Sequence, residues 1–337
     1  MRRLLLEWYG RGHRALPWRK SRDPYAIWLS EIMLQQTRAQ AAIPYYERFL
    51  ERFPDVAQLA AAREDEVLAL WSGLGYYSRA RNLHRAARRM AEAGGFPREY
   101  EAIRALPGIG DYTAAAVASI AFDLPHAVLD GNVLRVVARM RNDAADIGSG
   151  RTRERFRAVA QGWLEETHAG PAKQDMPAGQ FNQALMELGA TVCVPRNPLC
   201  LLCPVAGLCQ ARAAGTVAQL PVKLRKTAPV QLEGVLLVVR NRGRILLRQR
   251  DAASTRMAGF WDLPAPGELP GAALGERIGE IRHTITHHHY RLEVRHASAR
   301  KPRDEAFRWF SVVELDTIPF STTARKGLKL AGIVPKL

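Results

Sequence analysis

The sequence predicts a mainly α N-terminal region followed by a small α+β domain. Three observations lead there. FPDVAQLAAAREDEVLALW and SRARNLHRAARRMAEAGG carry apolar residues at helical spacing, and the second stretch ends at Gly94-Gly95. All the cysteines fall between Cys193 and Cys209, and after them the texture of the chain changes. GVLLVVRNRGRILLRQR then reads as two strands joined by a turn at Asn241 to Gly243. The remainder, with FWDLP, HYRLEVRHA and FRWFSVVEL, completes the α+β pattern.

A length of 337 residues suits two domains, and an apolar content of 47% is enough for a core in each. The expected boundaries are 1–220 for the helical domain, 221–230 for a polar, basic linker interrupted by proline, and 231–337 for the second domain. No internal repeat or low-complexity segment is evident. Lys and Arg number 49 against 33 Asp and Glu, a formal charge of +16 and a pI near 10.2. That balance favours a polyanionic partner, most often nucleic acid, over a basic surface that is only solvated. No apolar run reaches the ~18 residues of a membrane span, and MRRLLLEWYG lacks the apolar core of a signal peptide. A soluble, cytoplasmic protein without membrane attachment is expected.

Along the chain, Asp23-Pro24 is a helix start, because Asp can cap and Pro suits the first helical position. Trp28, Leu29, Ile32 and Met33 then form one buried stripe, and Glu31 is the only charged residue from Pro24 to Thr37. A carboxyl flanked by apolar residues has a raised pKa and can act as a general acid near neutral pH. The ordinary alternative is an exposed Glu on the polar side of the helix. REYEAIRALPGIGDYTAAAVASIAF reads as helix, tight turn, helix, with the turn at Leu106-Pro107-Gly108-Ile109-Gly110. Its glycines let backbone N–H groups approach a phosphate, and the next helix offers its N-terminus. Many such turns are only structural. Asp130, in HAVLDGNVLRVVARM, precedes a helix with Val133, Val136, Val137 and Met140 on its apolar face. Its ordinary role is the N-cap, where the helix dipole favours the ionised form. One carboxyl expected to hold a proton and one expected to be charged are what cleavage of a glycosidic bond requires.

CVPRNPLCLLCPVAGLC carries Cys193, Cys200, Cys203 and Cys209 in a C-x6-C-x2-C-x5-C pattern. Four thiolates so close suit a [4Fe–4S] cluster or zinc, although structural zinc usually pairs two short CxxC hairpins. Disulfides are not expected in a cytoplasmic chain.

This spacing, the LPGIG hairpin followed by LDGNV, and SEIMLQQT with GLGYYSRARNLH together resemble the adenine-DNA glycosylases (MutY) of the endonuclease III superfamily. The resemblance runs continuously over residues 1 to about 220 and more weakly over 230 to 337. It implies a helix-hairpin-helix glycosylase fold with an iron–sulfur loop at 193–209, holding one [4Fe–4S] cluster on the four cysteines. Glu31 matches the catalytic glutamate that protonates adenine N7 and later positions water. Asp130 matches the aspartate that stabilises the oxocarbenium ion or a covalent sugar intermediate, and Asn132 its neighbour. Tyr112 stands where bifunctional relatives carry a Schiff-base lysine, which implies a monofunctional enzyme. Trp18, Arg19, Leu34 and Gln183 match the adenine pocket. Gln36, Thr37 and Tyr76 match groups that fill the gap left by base flipping and probe the opposite purine. Pro107, Gly108 and Gly110 of the hairpin, with Arg196 in the cluster loop, are the expected DNA-backbone contacts.

Residues 231–337 resemble the Nudix-like recognition domain of the same family, without the G-x5-E-x7-R-E-x-x-E-E signature of a working Nudix hydrolase. Ile285-Thr286-His287 stands in place of the family's Phe-Ser-His, so Thr286 and His287 are the candidates to meet 8-oxoguanine. The stretch between Leu263 and His283 is shorter than is usual in the family. The resemblance thus implies a monomeric repair glycosylase that removes adenine paired with 8-oxoguanine or guanine in duplex DNA. The alternatives are an endonuclease III-like glycosylase/lyase and a non-catalytic mismatch-binding protein.

Overall fold

The computed structural model describes residues 1–166, 177–224, 228–251, 254, 257–285 and 287–333, apart from the side chains of 316 and 317. Thr286 lies outside them. The helices are α1 (Arg2–Arg11), α2 (Pro24–Leu34), α3 (Ala39–Arg52), α4 (Val56–Ala61), α5 (Glu64–Leu70) and α6 (Ser78–Glu92). They continue as α7 (Tyr100–Arg104), α8 (Asp111–Phe122), α9 (Gly131–Met140), α10 (Gly150–Glu165), α11 (Ala178–Thr191) and the single turn α12 (Gln210–Ala213). The strands are β1 (Val230–Asn241), β2 (Arg244–Gln249), β3 (Trp261–Asp262), β4 (Ala273–Ile285), β5 (His288–Ser298) and β6 (Phe307–Phe310), followed by α13 (Thr322–Leu330). Among the described residues, no helix is long and apolar enough to cross a membrane.

Contacts group the chain into two units, 1–60 with 85–224, and 61–84 with 225–337. In the first, α8, α9 and α11 surround a core that includes Val133, Val136, Val137, Phe156, Phe181 and Leu185. Two glycines of α11 permit its close approach to its neighbours. A Cβ on Gly179 would lie 2.6 Å from the Ser119 carbonyl oxygen of α8, and one on Gly189 would lie 2.6 Å from Asn132 Cβ of α9. Helix α2 packs against α8 and departs from the sequence expectation. It was expected to bury one stripe, yet every residue from Tyr25 to Met33 is buried. Buried from Tyr25 to Met33, the helix presents no exposed polar face for Glu31, which is itself buried at the wall of a cavity. The helical stretch 54–72 also breaks, at Ala62–Arg63, into α4 and α5.

The second unit is a mixed sheet in the order β3-β2-β1-β5-β4, with β6 also paired to β2. β1 and β5 are parallel, from Val230 opposite His288 to Val239 opposite Ala297, whereas β4 and β5 form an antiparallel hairpin. β1 turns into β2 through Arg242 and Gly243, both at positive φ, as a tight hairpin demands. Trp261, Phe310, Phe320 and Leu328 anchor its core. Residues 61–84 pack on this unit through Tyr77, whose ring centroid is 4.1 Å from that of Phe260. Arg325 Nη2 also donates to Ser72 Oγ at 2.7 Å, and Arg81 donates to the Ala258 carbonyl.

Candidate active site

Asp23 caps α2, accepting from the Tyr25 and Ala26 N–H groups, and Pro24 opens the helix. Seven residues on, Glu31 reaches α8, where the Tyr112 hydroxyl donates to its Oε2 at 2.5 Å. Glu31 is 5% exposed. Burial raises its pKa to about 7, against the lowering effect of the Tyr112 hydrogen bond; the Asp130 charge adds to the rise. Tyr112, half-buried, is pushed well above the ordinary phenol value by desolvation and by the neighbouring Glu31 and Asp130 charges, and stays a donor.

Asp130 is the N-cap of α9, accepting from Val133 N–H at 2.7 Å and from Asn132 Nδ2 at 2.8 Å. The helix dipole favours the ionised form of this carboxyl. Burial outweighs the Val133 and Asn132 hydrogen bonds, so its pKa is raised. The two acids still differ in kind, because Asp130 has donors aimed at both oxygens and is the better-solvated anion.

Glu31, Tyr112, Asp130 and Asn132 line one open cavity of about 1060 Å³, together with Trp18, Arg19, Leu34, Gln36, Thr37 and Gln183. Gln36 takes a positive φ of 57° just past the end of α2, which turns the chain along the cavity edge. Not every candidate is brought there. Tyr76 belongs to the second unit, 41% exposed and also at positive φ. His287 follows β4, its ring centroid 4.1 Å from that of His288. Pro107, Gly108 and Gly110 form the α7–α8 turn, with Gly108 at φ 75° and both glycines exposed. Arg196 is exposed on the cluster loop.

Two residues behind the cavity were not anticipated. Glu187, 2% exposed, accepts from Arg14 Nε at 2.8 Å and from Arg19 Nη2 at 2.7 Å. Burial raises its pKa, but the two guanidinium groups overcome this and hold it at about 2. Tyr9 donates to Gln183 Oε1 at 3.0 Å. Glu187 lies four residues after Gln183 on the same helix, a spacing that could have flagged it; Tyr9 left no such trace.

The other end of α9 faces the cysteines. Cys193, Cys200, Cys203 and Cys209 line a small cavity with Val136, Arg139, Leu188 and Val205. Arg139, 1% exposed, donates to Cys193 Sγ at 3.3 Å and to the Val194 carbonyl at 2.8 Å. Arg135 ties the Cys193 carbonyl, at 2.7 Å, to Asn132 Oδ1, at 2.9 Å. Among the described residues, no three His, Cys, Asp or Glu side chains converge closely enough to hold a single metal ion. The four thiols line one small space, and four thiolates there suit an iron–sulfur cluster. Burial pushes the Cys203 thiol up to about 11 and raises Cys193 as well, so thiolates here need cationic partners. Arg139 is one, and irons bound by the four cysteines would supply the rest.

Residues 29–161 match the HhH-GPD superfamily of base excision DNA repair proteins, 193–209 the iron-sulfur binding domain of endonuclease III, and 234–330 a NUDIX domain. A solved structure of a thermostable thymine-DNA glycosylase superposes with a TM-score of 0.53 and 28% identity, covering 63% of this chain and 94% of that one. Fold and cysteine loop together define a helix-hairpin-helix repair protein with a [4Fe–4S] loop and an appended NUDIX domain. The adenine DNA glycosylase of Rattus norvegicus is 46% identical over 234 residues, covering 65% of this chain and 44% of the relative. That of Homo sapiens is 33% identical over 404 aligned positions, covering 96% of this chain and 72% of the relative. The chain belongs to the adenine DNA glycosylase family. It spans less than half the length of the rat relative.

Proposed function

We propose that this protein hydrolyses the N-glycosidic bond of adenine paired with 8-oxoguanine or guanine in duplex DNA. The observation that carries the proposal is Glu31, a buried acid with a pKa of about 7, in one cavity with Asp130. Adenine leaves poorly as an anion and well when protonated. Near neutral pH Glu31 holds a proton part of the time and delivers it to N7 of a base flipped into the cavity, flipping itself costing a few kcal/mol. Tyr112 orients the carboxyl and Asp130 faces the sugar as positive charge develops. Glu31, then ionised, takes a proton from the attacking water. Trp18, Arg19, Leu34 and Gln183 hold the base, Asn132 steadies Asp130, and Gln36, Thr37 and Tyr76 fill the vacated stack.

In this reading residues 1–220 are the glycosylase domain, 221–230 the linker and 231–337 the recognition domain. Thr286 and His287 meet the opposite purine. Pro107, Gly108 and Gly110 hold a phosphate on backbone N–H groups, and Arg196 adds a charge contact. The protein acts as a monomer in the cytoplasm, on the nucleoid. A lyase is disfavoured because Tyr112 replaces the lysine and its hydroxyl is engaged by Glu31. The test is single-turnover excision on duplexes bearing A:8-oxoguanine, A:G, A:T or an oxidised pyrimidine. Excision confined to the first two, with strand breaks only after alkali, supports the proposal. Preference for oxidised pyrimidines overturns it.

A further inference from the structure

We propose that Tyr9 is a positioning residue that fixes Gln183 as a hydrogen-bond donor, so that the base pocket selects a ring-nitrogen acceptor over a ring N–H. The inference rests on the adenine-excision reading above and deepens it. Tyr9 lies on α1, 7% exposed, and is not among the residues that line the cavity. Its hydroxyl nevertheless donates to Gln183 Oε1, and Gln183 does line the cavity. A carboxamide carries one acceptor atom and one donor atom on a single axis. With its oxygen engaged by Tyr9, Gln183 turns its NH₂ group to the base.

The Tyr9 ring is itself held in place. The His13 ring stacks on it with centroids 4.1 Å apart and planes 8° apart, and the Arg19 guanidinium carbon lies 5.5 Å from its centroid. Burial, the largest influence on it, raises the phenol pKa, so the O–H remains available to donate. Arg19, clamped by Glu187 at 2.7 Å, lines the same cavity as a pure donor. Arg19, Gln183 and protonated Glu31 therefore all offer hydrogens to the ligand. Adenine presents N1, N3 and N7 as acceptors. Hypoxanthine and guanine carry a hydrogen on N1, which places donor against donor at that edge.

The experiment compares wild type, Tyr9→Phe, Gln183→Leu and the double variant on duplexes with adenine or hypoxanthine opposite 8-oxoguanine. Single-turnover excision is measured, as is affinity for the same duplexes carrying 2′-fluorinated nucleosides that resist cleavage. Tyr9→Phe keeps the ring beside His13 and Arg19 and removes only the hydroxyl, and its unfolding temperature should match wild type. It should slow adenine excision roughly 2- to 10-fold, weaken the adenine analogue similarly, and narrow the preference over hypoxanthine. In the Gln183→Leu background the same change should have no further effect. An equal loss in both backgrounds, or an unchanged base preference, would overturn the proposal while leaving the adenine-excision reading in place. A wild type that neither excises adenine nor binds its analogue would overturn the functional reading and this proposal together.

Discussion

Replacing Glu31 by Gln should stabilise the protein, and increasingly so as the pH rises. Glu31 has a pKa of about 7 in the folded chain against an ordinary 4.5, and at 5% exposure it gains little from solvent screening. A folded-state value above the unfolded one means that the protonated acid is the form compatible with the fold. Stability from this group is therefore fully present below about pH 4.5 and is lost as the pH rises through about 7. The gap between the two values corresponds to roughly 3 kcal/mol, of which about 2 kcal/mol accrues between about pH 5.5 and pH 8. Glutamine keeps an acceptor for the Tyr112 hydroxyl and carries no charge at any pH. Calorimetric unfolding of both proteins across that window should show curves that diverge toward alkaline pH. For a unit of this size the divergence amounts to roughly 4–8 °C in the transition of the helical unit. Parallel curves would refute the argument, because they would mean that Glu31 is already solvated or ionised at no cost.

Gly189→Ala places a Cβ 2.6 Å from Asn132 Cβ and 3.1 Å from the Asn132 backbone, so α11 and the N-terminus of α9 must separate. We expect roughly 1–3 kcal/mol of destabilisation in denaturant unfolding, and an excision defect that persists well below the unfolding temperature because Asp130 moves with α9. Protein purified anaerobically should be brown and contain about four irons per chain, in line with four thiolate ligands. Stoichiometric zinc without iron by metal analysis would contradict the cluster.

Division into a helical and a mixed α/β part was legible because periodicity changes sharply after Cys209, and hairpin chemistry at Arg242 and Gly243 is local. The Asp23 and Asp130 caps were legible for the same reason, each lying within three residues of the groups it satisfies. The burial of Glu31 was not decided by its own segment. Periodicity distinguishes one apolar stripe from a polar face, but it cannot say that every residue from Tyr25 to Met33 is buried in the packed fold. The Asp130 cap was legible, whereas the burial that opposes its charge is seen only in the packed fold. Tyr9 and Glu187 escaped because their partners lie 174 and up to 173 residues away in the chain. Gly179 and Gly189 read as ordinary helical glycines until the facing backbones of α8 and α9 are seen.

The central claim is that Glu31 is the acid that releases the base. It is tested most directly by single-turnover excision on an A:8-oxoguanine duplex at saturating enzyme, with duplex affinity measured in parallel, for wild type and Glu31→Gln. General acid catalysis contributes roughly 10²–10⁴-fold, and a second role in activating water adds to it. The account predicts a loss of at least that size with affinity close to wild type, and a wild-type rate that falls as the pH rises through about 7. Near-normal excision by Glu31→Gln would contradict it.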